Sequence, residues 1–270
     1  MKIRIRYNVQ VIPILMSLLV IFAYSCSISG TNDSKSARAI LEAEKPSVDS
    51  ARVPEMIELY RSKRYEDMQT AEEEGIENVL KLSFHGRKMG NLSPRIADFI
   101  YLATLDLSYN DLADLPEELS TLHYLQGFYC RGNKLTVFPE QILLLPLLAR
   151  LDLSENQITE IPSAIIRMDQ LVSLNLEKNA LNHFPVQLFE LSNLSVLKLA
   201  HNGCSSLPEG IGNMLNLEKL DLSNNQLTSL PDEIILLSGN LKELSINGNQ
   251  IPAGKISWLE ESMPSTQIHY

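Results

Sequence analysis

Few residue arrangements in this chain could carry out chemistry. His85, His123, His183, His201 and His269 are scattered, with no H-E-x-x-H or C-x-x-C spacing to gather metal ligands. G-x-S-x-G and G-x-x-x-x-G-K-[ST] are absent, so neither a nucleophile elbow nor a phosphate-cradling loop is supported. No catalytic residue, metal or cofactor is expected. The chain reads as non-enzymatic, with a surface hydrolase of unrecognised site as the alternative. What remains is recognition chemistry. Tyr109, Tyr129, Arg131 and Arg150, together with Phe84, form one candidate group, because aromatic and guanidinium side chains dominate interface hot spots. Lys178, Lys198, His201 and Lys219 form a second, cationic group. Neither group makes a site unless the backbone brings its members to one face.

The chain has 270 residues, 44% hydrophobic and 21% charged, which suits a folded protein with a full core rather than a disordered one. With 23 Lys+Arg against 33 Asp+Glu, the formal charge is −10. An acidic chain without a basic cluster is a poor nucleic-acid binder, because phosphate contacts need cations. The three cysteines, Cys26, Cys130 and Cys204, are too few for a disulfide framework.

The N-terminus reads as a targeting segment. Lys2, Arg4 and Arg6 precede an apolar run from Val9 to Tyr24 that is short and interrupted for a spanning helix. It ends at Ala23-Tyr24-Ser25-Cys26, which resembles a bacterial lipobox, although Ala23 stands where that motif favours leucine. The resemblance implies cleavage before Cys26, lipid on Cys26 and a lipid-anchored location in the bacterial cell envelope, on the outer membrane or cell surface. Plain secretion is the alternative. Cleavage would remove three cations and no acid and leave a charge of −13. Residues 26–52 start small and polar and read as a flexible tether.

A period of 23 residues governs the rest. Asn110, Asn133, Asn156, Asn179, Asn202 and Asn225 are each 23 apart, with Asn249 after a step of 24. Pro116, Pro139, Pro162, Pro185, Pro208 and Pro231 repeat the same step. Leucines at repeat positions 4 and 6, between polar neighbours, give the alternation of one short strand per repeat. Asparagine at position 9 suits a tight turn, because its amide both donates and accepts; stacked amides should form a structural ladder. Each proline suits the first position of a short helical turn on the outer side, too short for a full α-helix. The pattern L-x-x-L-x-L-x-x-N-x-L-x-x-L-P resembles the leucine-rich repeat family over about residues 77–270. The resemblance implies an α/β solenoid, a horseshoe with a parallel β-sheet on the concave face, 3₁₀ or irregular convex segments, and helical caps.

The organisation expected is therefore a signal peptide at 1–25, the tether at 26–52, a helical cap and degenerate repeat at 53–101, six repeats at 102–240, and a terminal repeat with its cap at 241–270. In the degenerate repeat Leu80 and Leu82 keep the strand alternation, His85 takes the asparagine position and Arg87 a leucine position. Met56 to Glu74 has helical composition, and Lys255 to Ser262 reads as a closing helix before a last strand at Thr266 to His269. Cys130 and Cys204 occupy core positions three repeats apart, about 15 Å at the strand spacing, beyond disulfide reach. Asp106, Asp152 and Asp221 share position 5 on separate repeats, as an ordinary solvated face. Positions 3, 5, 7 and 8 should be exposed on the sheet. That places Tyr109, Tyr129, Arg131 and Arg150 in one patch at its N-terminal end, with Phe84 if the first strand keeps register. The function expected is capture of a protein or peptide partner on the concave face, with a structural envelope lipoprotein as alternative.

Overall fold

A computed structural model describes residues 48–270; the signal segment, Cys26 and the tether up to residue 47 lie outside the described residues. Nine parallel strands form one sheet in chain order: β1 Lys81–Ser83, β2 Thr104–Asp106, β3 Gly127–Tyr129, β4 Arg150–Asp152, β5 Ser173–Asn175, β6 Val196–Lys198, β7 Lys219–Asp221, β8 Glu243–Ser245 and β9 Gln267–His269. Each strand pairs with its equivalent one repeat on, Leu105 with Phe128 and Phe128 with Leu151. Between strands the chain returns through 3₁₀ turns such as Glu117–Thr121, Ser163–Arg167 and Glu209–Asn213. The repeat prolines sit one residue before these turns, not inside them. The Pro116 carbonyl accepts from Leu119 N at 3.1 Å, so proline supplies the first acceptor while lacking a donor the turn does not use.

One repeat shows how the core is built. Leu171, Leu174, Leu176, Leu181, Phe184, Leu188 and Leu191 are all buried. Full burial of each such side chain is worth about 1.5–3 kcal/mol. A lone repeat cannot bury this face, so stability comes from stacking.

The asparagines tie the stack together. Asn156 Nδ2 donates to Cys130 O and Leu153 O, both at 3.0 Å, while its Oδ1 accepts from Leu135 N at 3.1 Å. Asn110, Asn133, Asn179, Asn202, Asn225 and Asn249 make the same three bonds to their own and the preceding repeat. Adjacent asparagines share each interior carbonyl.

The first repeat differs from the sequence expectation. Leu82 pairs with Leu105, so it holds position 4 and the register lies two residues from the expected one. Phe84 then takes the inward position 6 and is buried at 6% exposure among core side chains. It is a core residue, not a member of the exposed patch. Arg87, not His85, stands at the ladder position. Its Nη2 donates to Glu66 Oε2 at 2.8 Å, across the same 21-residue span over which Asn110 reaches Met89.

The N-terminal cap is also broken rather than continuous. Helix α1, Met56–Arg61, and helix α2, Met68–Glu74, flank a segment in which Tyr65 bridges to Leu82. Ser83 N donates to Tyr65 O at 2.8 Å, which covers the sheet's first edge. The tether expected through residue 52 ends earlier. Asp49 N donates to Tyr124 Oη at 3.2 Å, Arg52 lies 4.7 Å from the Tyr101 ring centre, and Gln126 Nε2 donates to Pro54 O at 3.2 Å. At the other end helix α3, Ala253–Ser262, packs Leu259 into the core and β9 closes the sheet.

Candidate ligand-binding face

Position 8 of all eight repeats has left-handed backbone. Gly86, Tyr109, Gly132, Glu155, Lys178, His201, Asn224 and Gly248 have φ between +52 and +71. Glycine and asparagine tolerate this; Tyr109, Glu155, Lys178 and His201 hold it at a cost of about 1–2 kcal/mol each. Side chains at this position are therefore presented from the strained turn that every repeat shares.

Tyr109 is 42% exposed. Its ring lies against Gly132 of the next repeat, where an added Cβ would stand 2.6 Å from Tyr109 Cδ1. His85 meets the ring edge-on at 5.1 Å, and the Arg131 guanidinium is 5.4 Å from its centre. Tyr129, half-buried on β3, lies over Gly127 of its own strand, with a Cβ there 3.2 Å from Tyr129 Cε2. Burial pushes its phenol pKa up. Arg150, also half-buried, opens β4 in register with Gly127. The two glycines of one repeat thus make room for two tyrosine rings at the N-terminal end of the sheet.

Arg131 Nη2 donates to Glu155 Oε1 at 3.0 Å, and Lys178 Nζ reaches the same oxygen at 2.8 Å. These hydrogen bonds, Lys178 first and Arg131 second, hold the Glu155 carboxyl at about 2. The chain from His85 through Tyr109, Arg131 and Glu155 to Lys178 crosses five consecutive repeats.

The second group does not form a free cationic cluster. Lys178 is paired with Glu155, and Lys219 Nζ lies 2.7 Å from both Glu243 carboxylate oxygens. Lys198, half-buried on β6, and exposed His201 have no ion pair among the described residues. The position 5 aspartates are engaged with the backbone: Asp152 Oδ1 accepts from Ser154 N at 2.9 Å and Asp221 Oδ1 from Ser223 N at 3.0 Å. Cys130 and Cys204 are buried and free, with their thiols pushed up to about 12 and about 11, by burial in each case.

Sequence reasoning passed over Glu155, Gly127 and Gly132. Glu155 was detectable from spacing, since Arg131 and Lys178 stand 24 and 23 residues away on adjoining repeats. Among the described residues no group of His, Cys, Asp or Glu is placed to hold a metal ion, and no helix is long and apolar enough to cross a membrane.

Stacked strands, an asparagine ladder and outward 3₁₀ turns define the class of parallel-sheet solenoids. The leucine-rich repeat model matches residues 125–181 and 146–204, and a model of two leucine-rich repeats matches 192–236. The chain is a leucine-rich repeat protein. It is similar to a leucine-rich repeat protein of Leptospira interrogans, at 26% identity and TM-score 0.56, over 72% of this chain and 62% of that one. An internalin C2 from Listeria monocytogenes shares the fold, at 24% identity and TM-score 0.61, over 72% of this chain and 80% of that one. The plant peptide hormone receptor RGFR1, solved in complex with RGF2, matches at 26% identity and TM-score 0.56, over 66% of this chain and 29% of that one. No curated protein matches the chain. The leucine-rich repeat fold is a common protein–protein interaction module.

Proposed function

We propose that the protein captures a peptide or protein segment on its concave face, at Tyr109, Tyr129, Arg131 and Arg150, and does no chemistry on it. The observation that carries this reading is the pair of tyrosine rings, each seated on a glycine, beside an arginine held by Glu155. Rigid aromatic and guanidinium groups lose little freedom on binding and make strong anchors. The structure of the plant receptor with its bound partner supports a peptide as the kind of ligand. The test is capture of crosslinked partners from intact cells by the wild type and by a Tyr129→Ala, Arg131→Ala double variant. Loss of one specific partner with the melting temperature nearly unchanged supports the patch. Full capture by the folded variant rejects it and moves attention to Lys198 and His201.

The same proposal includes attachment to the bacterial cell envelope by lipid on Cys26, with secretion as the alternative. It rests on the cationic n-region, the apolar run and the cysteine that ends it. Radiolabelled palmitate should enter the wild type and not Cys26→Ala; equal labelling of the two rejects the anchor.

A further inference from the structure

A notch of about 470 Å³ opens where the N-terminal cap meets the first two strands, beside Tyr109. Arg64, Glu66, Ser83, His85, Arg87 and Asp106 line it. Both of its acids are already engaged. Glu66 accepts from Arg87 at 2.8 Å. Asp106 Oδ1 accepts from Ser108 N at 2.9 Å, and its Oδ2 accepts from Ser83 Oγ at 3.3 Å and stands 3.6 Å from His85 Nδ1. The donors are left over. The exposed Arg64 guanidinium has no partner among the described residues, and neither has His85 Nε2. His85 is held between Asp106 and the edge of the Tyr109 ring, 5.1 Å away. Gly86 adds no side chain, and a Cβ there would meet nothing within 4 Å.

A polar notch whose acids are satisfied internally and whose cation is not has unmet capacity for an anion. The planar guanidinium fork matches a carboxylate, which it binds through paired hydrogen bonds. We infer that this notch holds a carboxylate of the ligand, with Arg64 as the fork and His85 as the second donor. The inference deepens the concave-face reading and rests on it for the ligand being a peptide. Such a carboxylate comes from an acidic side chain or from a chain terminus. The Tyr109 ring touches both His85 of this notch and Arg131 of the patch, so one extended segment would reach both.

The test uses the mature protein with histidines labelled at Cε1 and follows the His85 resonance by NMR. Three small probes are titrated: N-acetyl-glutamate N-methylamide for a side-chain carboxylate, N-acetyl-glycine for a terminal one, and N-acetyl-glutamine N-methylamide as the uncharged match. A saturable shift of the His85 signal with either carboxylate and none with the amide supports the inference; the tighter of the two gives the source. Arg64→Gln should weaken that binding about tenfold or more, as loss of a charged hydrogen bond implies. Arg61→Gln, at the end of helix α1, should not. Equal shifts with the amide, undiminished binding by folded Arg64→Gln, or tighter binding of inorganic phosphate would each overturn it. Tyr129→Ala should keep the probe shift. If the partner still binds the double variant of the patch while the probe shift stands, the patch at Tyr129 and Arg131 is rejected and the notch survives.

Discussion

Arg131 Nη2 and Glu155 Oε1 lie 3.0 Å apart, joining position 7 of one repeat to position 8 of the next. The bond fixes both ends of a short ridge. Arg131 is kept over the Tyr109 ring, and Glu155, in left-handed backbone, also takes Lys178 at 2.8 Å. The charges of this ridge are thus spent mostly on each other, and the Tyr109 ring is left exposed beside them.

Glu155 should reveal itself through pH. Its carboxyl is held at about 2 by hydrogen bonds from Lys178 and Arg131, against about 4.3 in an unfolded chain. A depressed folded value means that the group's contribution to stability is complete above the unfolded value. That contribution is lost as pH falls from about 4.3 toward 2. A carboxyl-carbon NMR titration should find Glu155 well below the unfolded-chain value, and Lys178→Met should raise its midpoint. Titration of Glu155 at the unfolded-chain value would refute the pairing.

The ladder makes a different prediction for stability. Asn156→Ala leaves Cys130 O with Asn133 and Leu153 O with Asn179, since interior carbonyls have two asparagine donors. Leu135 N has no such substitute: among the described residues it donates only to Asn156 Oδ1, at 3.1 Å. The loss should therefore be close to that of one buried orphaned donor, about 1–3 kcal/mol. Urea unfolding measures it directly. A change under about 0.5 kcal/mol, the scale of ordinary surface substitutions, would show that the ladder is decoration.

Cys130 and Cys204 should be silent in the folded protein. Burial lifts their thiols to about 12 and about 11, and the thiolate is the reactive form. Iodoacetamide at pH 8 should label neither until denaturant is added, and both should then react together as the core opens. Labelling of either thiol under native conditions would place it in a locally opening segment.

The strands were legible because the 23-residue step and the two-residue alternation agree on them. At the first repeat those two cues part. Leu80, Leu82 and Phe84 alternate in a way that fits two registers two residues apart, and no asparagine decides between them. The period does: 23 residues before Asn110 is Arg87, and that register is the one in the structure. The proposed binding face was half-legible for a similar reason. Tyr129 and Arg131 stood out as departures from the repeat, whereas Gly127 and Gly132 contribute by lacking a side chain. The neutralisation of Lys178 and Lys219 depends on which acids the neighbouring repeats set beside them, a fact of stacking rather than of any one repeat.

Gly132 and Gly86 allow the platform itself to be tested. Both occupy position 8, with φ of +65 and +68. Alanine at either must adopt left-handed backbone, at a cost of about 1–2 kcal/mol. At Gly86 nothing lies within 4 Å of the added Cβ, so that cost is the whole effect. At Gly132 the same Cβ would stand 2.6 Å from Tyr109 Cδ1 and 2.9 Å from Cε1, so the ring must leave its seat. Gly132→Ala should thus destabilise more than Gly86→Ala by about 1 kcal/mol or more, the range for overpacking. It should also move the Tyr109 ring resonances and the edge-on contact with His85. Equal unfolding free energies for the two variants, with Tyr109 resonances unchanged, would mean that the ring is not seated on Gly132, and the rigid anchor on which the proposed binding face depends would be gone.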